Sequence, residues 1–179
     1  MPPRIPPPDP DAFDAEQLTQ LAKTRPLRVG GRPINLWATL ARRPELLRRV
    51  NALGGYFPTR SSLGLREREL VILRVAGTID AAYVEAQHRV IAAEALTPAE
   101  VDAARGGGEH PWSAADAALL TFATELATTR TLTDATWDAV ALDDDAKLEL
   151  VVLVGFYGLI GGLTSALAID VDAPQAPSA

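Results

Sequence analysis

Residues 65–78 read LRERELVILRVAGT, and the spacing of their apolar side chains predicts the fold class. On a helix these side chains gather on one side, while Glu67, Arg74 and Thr78 fall together on a polar side. Residues 81–95 again have a helical pattern, and almost no connector separates the two stretches. We therefore predict that they fold back on each other as a helical hairpin.

Blocks with helical spacing continue on both sides of this hairpin, and capping residues, glycines or prolines separate them. No segment alternates apolar and polar residues for long enough to predict a strand. We therefore predict an all-α fold with no sheet. Further helices are predicted over 35–41, over 44–53, from Thr97 to the glycines at 106–108, from Ser113 to about Thr128, after Thr133, and from 143–145 onward. Residues 14–23 are weakly helical, and residues 25–33 are predicted to form a connector.

The chain has 179 residues, which is about the size of one domain. Its N-terminus is rich in proline, so residues 1–12 are predicted to form an extended arm. We predict one helical domain over 13–171 and a flexible tail over 172–179. The N-terminus lacks the apolar segment of a secretory signal, so we expect a cytoplasmic protein.

Composition excludes several classes of function. The chain has no cysteine, which excludes disulfides, thiol nucleophiles and cysteine-ligated zinc. Lys and Arg number 17 against 23 Asp and Glu, for a net charge of −6, which disfavours nucleic-acid binding. There are two histidines, so a metal site would need mainly carboxylate ligands. We expect neither a metal nor another cofactor.

Residues 150–169 carry no charge and are long enough to span a bilayer. Their flanks are acidic, however, and the stretch contains several glycines, which suit close helix packing. A central helix buried on all sides has the same composition, and we prefer that interpretation. Such a stretch is too apolar for the surface of a small monomer, so we predict a homo-oligomer.

Glu69 is the first candidate for chemistry, because it falls in the middle of the apolar side of the 65–78 helix. A carboxylate in that position must be desolvated, paired or protonated. Such a group can act as an acid or a base. The structural alternative is an ion pair with Arg66 or Arg68, or a contact between subunits.

His88 is the second candidate, because it borders Val84 and Ile91 on the apolar ridge of the next helix. A lone histidine in that setting is often a satisfied core residue. Glu85 lies one turn from both His88 and Arg89, so it either pairs with Arg89 or orients His88.

The segments LRERELVILRVA at 65–76 and YVEAQH at 83–88 resemble the carboxymuconolactone decarboxylase-like family, which includes the alkylhydroperoxidase-like proteins. The resemblance covers roughly residues 35–170. It implies an all-helical fold built on a helical hairpin and assembled as symmetric trimers or hexamers. It continues through 97–101, 112–120, 122–126, 134–137 and 149–157.

The redox members of this family use a glutamate, a Cys-x-x-Cys motif and a histidine four residues after the second cysteine. The resemblance puts the glutamate at Glu69, the histidine at His88, and the two cysteine positions at Ala81 and Val84. The chain therefore retains the proton-handling pair and lacks both sulfur atoms. Peroxidase chemistry through a disulfide is excluded.

The decarboxylase members more often read Tyr-Glu-Trp-x-x-His. Tyr83 and His88 match this motif, whereas Val84 replaces the glutamate and Glu85 replaces the tryptophan. Because a helix turns by about 100° per residue, Glu85 cannot point where a glutamate at position 84 would. Glu85 either serves a different pocket or lies on the surface.

We therefore predict a cofactor-free, non-redox enzyme that acts on a small organic acid, lactone or polyketide-like metabolite. It would decarboxylate, isomerise or cyclise its substrate by proton transfer through Glu69 and His88. The predicted partners are the substrate and further copies of the chain, as a homotrimer or a multiple of three, without nucleic acid or membrane. The alternatives are a non-catalytic ligand-binding or assembly protein and a remnant peroxidase-like antioxidant protein. The predicted substrate-binding residues are Tyr83, Arg66, Arg68, Glu85, Trp37, Tyr56 and Tyr157.

Overall fold

Helices make up nearly all of the regular structure in the computed structural model, which describes residues 2–24, 28–29 and 32–172. The predicted all-α class is confirmed. After a 3₁₀ turn at Pro10–Ala12, the helices are α1 (Ala15–Lys23), α2 (Asn35–Leu40), α3 (Pro44–Arg60), α4 (Leu65–Thr78), α5 (Ala82–Ala92), α6 (Pro98–Arg105), α7 (Ala114–Thr129), α8 (Asp134–Ala139) and α9 (Asp144–Ala166).

One short sheet departs from the prediction that the chain has none. Strands β1 (Arg28–Val29) and β2 (Arg32–Pro33) pair antiparallel within the predicted connector. Two-residue strands are too short to show an alternating pattern, so the sequence carries no signal for them. The rest of the connector, and the predicted tail beyond Asp172, lie outside the described residues.

Helix α3 is longer than predicted. The sequence indicated a stop at Gly54-Gly55, but the helix continues through both glycines and Pro58 to Arg60. Phe57 in this extension is 2% exposed and packs against Phe156, with ring centroids 6.0 Å apart. Burial of an aromatic side chain contributes about 1.5–3 kcal/mol, which offsets the helix-propensity cost of the glycines.

The chain divides into two compact units, Met1–Tyr56 with Ala166–Ala179 and Phe57–Ser165. In the first unit the predicted N-terminal arm is held by hydrogen bonds. The backbone N–H of Arg4 donates to Leu167 O at 2.8 Å, and the Arg42 guanidinium donates to Pro6 O at 2.8 and 3.0 Å.

Helix α4 forms the centre of the second unit, in contact with α5, α6 and α7. Its inward side carries Leu70 and Leu73, both fully buried. Capping residues fix the starts of the surrounding helices. The Thr97 side chain and Glu100 form a capping box on α6, and the Ser113 hydroxyl caps α7. A core cluster joins α4 to its neighbours through Leu70, Leu73, Ala92, Leu96, Val101, Ala104 and Leu120.

Helix α9 differs from the expectation of a helix buried on all sides. Leu150 and Leu153 are fully buried, but Leu148 is 62% exposed and Leu159 is 56% exposed. The helix is long and apolar enough to cross a membrane by length and composition, and 39% of its most apolar window is buried. A single such helix is weak evidence for a membrane span, because a core helix meets the same criteria.

Candidate active site

Glu69 is buried on the inward side of α4, as its helical position predicts. The residue is 3% exposed, beside the fully buried Leu70. A carboxylate removed from water in this way needs a hydrogen-bond partner.

That partner is His88. Its Nδ1 lies 2.8 Å from Glu69 Oε2, and the two side chains are 13% and 4% exposed respectively. The short link between α4 and α5 makes a hairpin whose inner faces meet, so residues 19 positions apart come into contact. The structure brings the two predicted side chains into contact, and a shared substrate pocket at this position stays a prediction. Arg66 and Arg68 are not the ion-pair partners of Glu69.

Tyr157 of α9 packs against the ring of His88. Its ring meets the His88 ring edge-on, with centroids 4.8 Å apart and an interplanar angle of 88°. Burial raises the pKa of the Tyr157 phenol above its ordinary value, and the Glu69 carboxylate raises it further, while Arg68 opposes them. The phenol therefore stays protonated and can donate a hydrogen bond at neutral pH.

The two positions at which the resemblance implies cysteines are buried and apolar in this chain. Ala81 is 1% exposed and Val84 is 2% exposed. Helix α9 approaches Ala81 closely at Gly161, where an added Cβ would lie 2.9 Å from Ala81 Cβ and 2.6 Å from Ile79 Cδ1. Small side chains thus occupy the place of the sulfur atoms.

Arg66, a predicted substrate-binding residue, is held by other groups. Its Nη2 donates to Glu100 Oε1 at 2.6 Å and Asp116 Oδ2 at 3.0 Å, and its Nη1 to Ala95 O at 3.3 Å. Hydrogen bonds from Arg66 and then from the Thr97 backbone lower the pKa of Glu100 to about 2. Arg66 therefore joins α4 to α6 and α7.

We expect Arg66→Met to lower the free energy of unfolding by about 1–2 kcal/mol at pH 7, since solvent screens part of the attraction. The pKa of Glu100 is depressed, so its contribution is present above pH 4.5 and is lost as pH falls toward 2. The deficit of the variant should shrink over that window in urea titrations. Arg48→Met removes an exposed pair with Glu45 and should change stability less than Arg66→Met does. A deficit that is the same at pH 7 and pH 3 would contradict this assignment.

Glu85 is likewise engaged in ion pairs. It contacts Arg89 Nη1 at 3.2 Å and Arg105 Nε at 2.5 Å, so the alternative of an Arg89 pair is the one that the structure contains. Arg68 donates to Leu63 O, and its charge also reaches Tyr157. The structure thus brings Arg68 near the His88 site and holds Glu85 toward α6.

The remaining predicted site residues are divided between the units. Tyr83 lies in the second unit and is 5% exposed, so it presents little surface to a ligand. Trp37 and Tyr56 belong to the first unit, and their role stays a prediction. Within residues 2–24, 28–29 and 32–172, no group of three or more histidine or acidic side chains could hold a metal ion.

Comparison with known proteins identifies the fold. No protein-family profile and no curated protein sequence matches the chain. A peroxidase-related protein from Silicibacter sp. TM1040 matches with a TM-score of 0.80 and 17% identity, over 97% of this chain and 95% of its own. An alkylhydroperoxidase AhpD core protein from Ralstonia eutropha JMP134 matches with a TM-score of 0.80 and 18% identity, over 95% of this chain and 92% of its own. The chain has the AhpD fold.

The AhpD fold is the one that the resemblance implied, so that expectation is confirmed. The same fold is found in the debrominase Bmp8, with a TM-score of 0.74 and 16% identity over 94% of this chain and 92% of its own. A variant of that debrominase has been solved in complex with 2,3,4-tribromopyrrole. Proteins with the AhpD fold therefore include one that binds a small heteroaromatic ring.

Proposed function

We propose that the protein is a cofactor-independent, non-redox enzyme that moves protons on a small organic acid, lactone or polyketide-like metabolite. The observation that carries this proposal is the 2.8 Å contact between Glu69 Oε2 and His88 Nδ1 in a nearly buried setting. A buried carboxylate joined to one nitrogen of a partly exposed histidine is an acid–base arrangement.

Glu69 acts through His88. When Nδ1–H donates to the carboxylate, the other ring nitrogen, Nε2, carries the lone pair and can accept a proton. The carboxylate then stabilises the imidazolium that forms. His88 is thus the group that would meet the substrate, and Glu69 holds its tautomer and orientation.

Such a pair supports three proton-transfer reactions without an oxidant. In an isomerisation, Nε2 removes a proton beside a carbonyl group and returns it to another carbon of the enolate. In a decarboxylation, the C–C bond breaks, CO₂ leaves, the electron pair enters an enolate, and the imidazolium gives its proton to carbon. In a cyclisation, the enolate carbon attacks a carbonyl group of the same molecule, whose oxygen takes the proton. None of these reactions needs the absent sulfur atoms.

The surroundings of His88 suit an enolate. Because the pKa of Tyr157 is raised, its phenol is a neutral donor that can bind an enolate oxygen. Arg68 supplies a positive charge close enough to affect Tyr157. The small ring bound in the debrominase Bmp8 supports a substrate of similar size here.

We expect Glu69→Gln and His88→Ala each to lower turnover by about 10²-fold or more, the usual scale for loss of an acid–base group. The assay follows the wild-type protein with acetoacetate or α-angelica lactone by NMR in D₂O, and records CO₂ loss, deuterium incorporation and double-bond migration. Glu85→Gln is the matched control, because Glu85 is paired with Arg89 and Arg105 and should matter little.

Near-normal turnover in both Glu69→Gln and His88→Ala would refute the role of the pair. If the wild-type protein binds these compounds but accelerates no reaction of them, the result favours the alternative of a non-catalytic ligand-binding protein. An antioxidant role through a disulfide has no chemical basis in a chain without cysteine.

We further propose that the protein is a soluble homo-oligomer that associates through α9. Leu148, Val152, Gly155, Leu159 and Gly162 recur at intervals of four and three residues and form an exposed, uncharged stripe. No atom would lie within 4 Å of a Cβ added at Gly155 or Gly162, so a second helix can approach there. This spacing is typical of a helix–helix seam. A trimer, or a multiple of three, follows from the resemblance.

Light scattering at micromolar concentration is expected to give a multiple of the 19.0 kDa chain mass. Leu159→Lys should shift the distribution toward monomer, because a charged side chain would be buried in the seam. Leu18→Lys, on exposed α1, is the control and should leave the mass unchanged. A wild-type mass of 19.0 kDa would exclude the oligomer.

A further inference from the structure

An open groove of about 370 Å³ lies on the second unit between α4 and α7. Its volume is within the range of about 300–1,000 Å³ in which small-ligand sites fall. The groove is separate from Glu69 and His88, which are not among its lining residues. Its walls include Arg74 of α4, Trp112, and a side of α7 with Ala117, Leu120, Thr121 and Thr124.

Arg74 is the residue that gives this groove a chemical preference. Its position on the polar side of α4 predicted a solvated residue, but the structure holds it partly buried. Its Nη2 donates to Ala103 O at 3.1 Å, and its buried Nε has no hydrogen-bond partner among the described residues. Burial lowers the pKa of Arg74 from its ordinary value, yet arginine remains charged at neutral pH.

No carboxylate within the described part of the chain forms an ion pair with Arg74. Two other partly buried arginines have acidic partners: Arg66 has Glu100 and Asp116, and Arg89 has Glu85 and Asp102. Arg68, like Arg74, donates to a backbone carbonyl instead. Arg74 differs from Arg68 and from the other arginines of the described residues in that one of its buried nitrogens, Nε, has no hydrogen-bond partner. An anionic ligand would supply the missing partner.

Glu125 also lines the groove and limits the charge of that ligand. Its carboxylate accepts hydrogen bonds from the Thr133 backbone at 2.7 Å and from the Thr136 hydroxyl. These bonds, the Thr136 bond first, lower the pKa of Glu125, so it stays ionised. Because the groove is lined by one cation and one ionised carboxylate, a monoanion meets less repulsion there than a phosphate dianion would.

The rest of the wall suits an apolar body. Trp112 is partly buried against the core cluster, and its ring contacts the His110 ring at an interplanar angle of 52°, with centroids 4.4 Å apart. The hydroxyls of Thr121 and Thr124 donate hydrogen bonds within their own helix, to Ala117 O and Leu120 O. Their protons are therefore not available to an anion in the groove. An aromatic ring held against Trp112 would gain both area burial and ring contact.

We propose that this groove binds a small monocarboxylate with an aromatic or compact apolar body, its carboxylate paired with Arg74 and its ring against Trp112. The proposal does not depend on the proton-transfer function, because the groove contains neither Glu69 nor His88.

The probe is benzoate, and benzamide is its neutral isostere. Titration of the wild-type protein, followed through the indole N–H resonance of Trp112, should give a saturable shift with benzoate. Replacing Trp112 with Phe assigns this resonance among the three tryptophans. Benzamide should bind at least about tenfold more weakly than benzoate because it has no charge. Inorganic phosphate should also bind at least about tenfold more weakly because it has no ring.

Variants locate the site. Arg74→Gln should weaken benzoate binding by about tenfold or more, and Arg74→Lys should weaken it less because the charge remains. Ala117→Phe should abolish binding by filling the groove while Arg74 is kept. Arg60→Gln, which removes an exposed arginine of α3, is the charge-matched control and should bind as the wild type does.

The proposal is overturned if benzamide shifts Trp112 as strongly as benzoate, or if Arg74→Gln and Arg60→Gln bind benzoate equally. If circular dichroism shows that Arg74→Gln does not fold, two measurements still test the proposal. These are the ratio of the wild-type affinities for benzoate and benzamide, and benzoate binding by Ala117→Phe. Unimpaired binding by folded Ala117→Phe would also refute the site.

Discussion

Gly77→Ala is expected to lower the free energy of unfolding by about 3 kcal/mol or more, although alanine is the better helix former. A Cβ added at Gly77 would lie 1.9 Å from Arg105 O and 2.8 Å from Arg105 C. These are backbone atoms at the end of α6, so no side-chain rotation can relieve the overlap. Helix α6 must move away from α4, which would loosen the packing of Val101 and Ala104 in the core cluster.

Urea denaturation followed by circular dichroism measures this loss. Gly55→Ala is the matched control, because Gly55 is also inside a helix and a Cβ there has nothing within 4 Å. The same substitution should therefore raise stability at position 55 by about 0.5–1 kcal/mol. If the two variants change stability in the same direction, the close approach of α4 and α6 is wrong.

Gly161→Val is expected to cost about 3 kcal/mol of unfolding free energy, at the upper end of the usual range for overpacking. Ile79 Cδ1 is the flexible end of a side chain and can swing away from the added Cβ. Ala81 Cβ cannot, because it is fixed to the backbone at the start of α5. The valine would push α9 away from α5, and with it Tyr157 away from His88.

Gly158→Val is the control for this prediction. The nearest atom to a Cβ at Gly158 is Arg130 Nη1 at 3.6 Å, an ordinary contact with the end of a flexible side chain. The control should change stability by well under about 1 kcal/mol, and in the stabilising direction, because valine is a somewhat better helix former than glycine. Equal losses in the two variants would show that the helix, and not its contact with Ala81, sets the cost.

Helical periodicity determines much of the candidate site before any tertiary contact is known. A residue's position on a helix sets its direction, so the apolar surroundings of Glu69 in the sequence predict that it points inward. The short connector between α4 and α5 favours a hairpin, and in the structure the hairpin brings His88 into contact with Glu69. The Glu85–Arg89 pair follows from the same local geometry, since residues four apart on a helix are neighbours. The absence of thiol chemistry follows from composition alone.

Only the tertiary structure shows which residues of helices far apart in the sequence contact each other. The sequence offered Glu69 as a partner for Arg66, whereas packing of α4 against α6 and α7 presents Glu100 and Asp116, which lie 34 and 50 residues away. Arg74 falls on a polar stripe, yet its guanidinium reaches Ala103 O of α6 and its side chain lines a groove with α7. Periodicity determines which side of a helix a residue occupies, but the fit of side-chain volumes determines which neighbour covers that side.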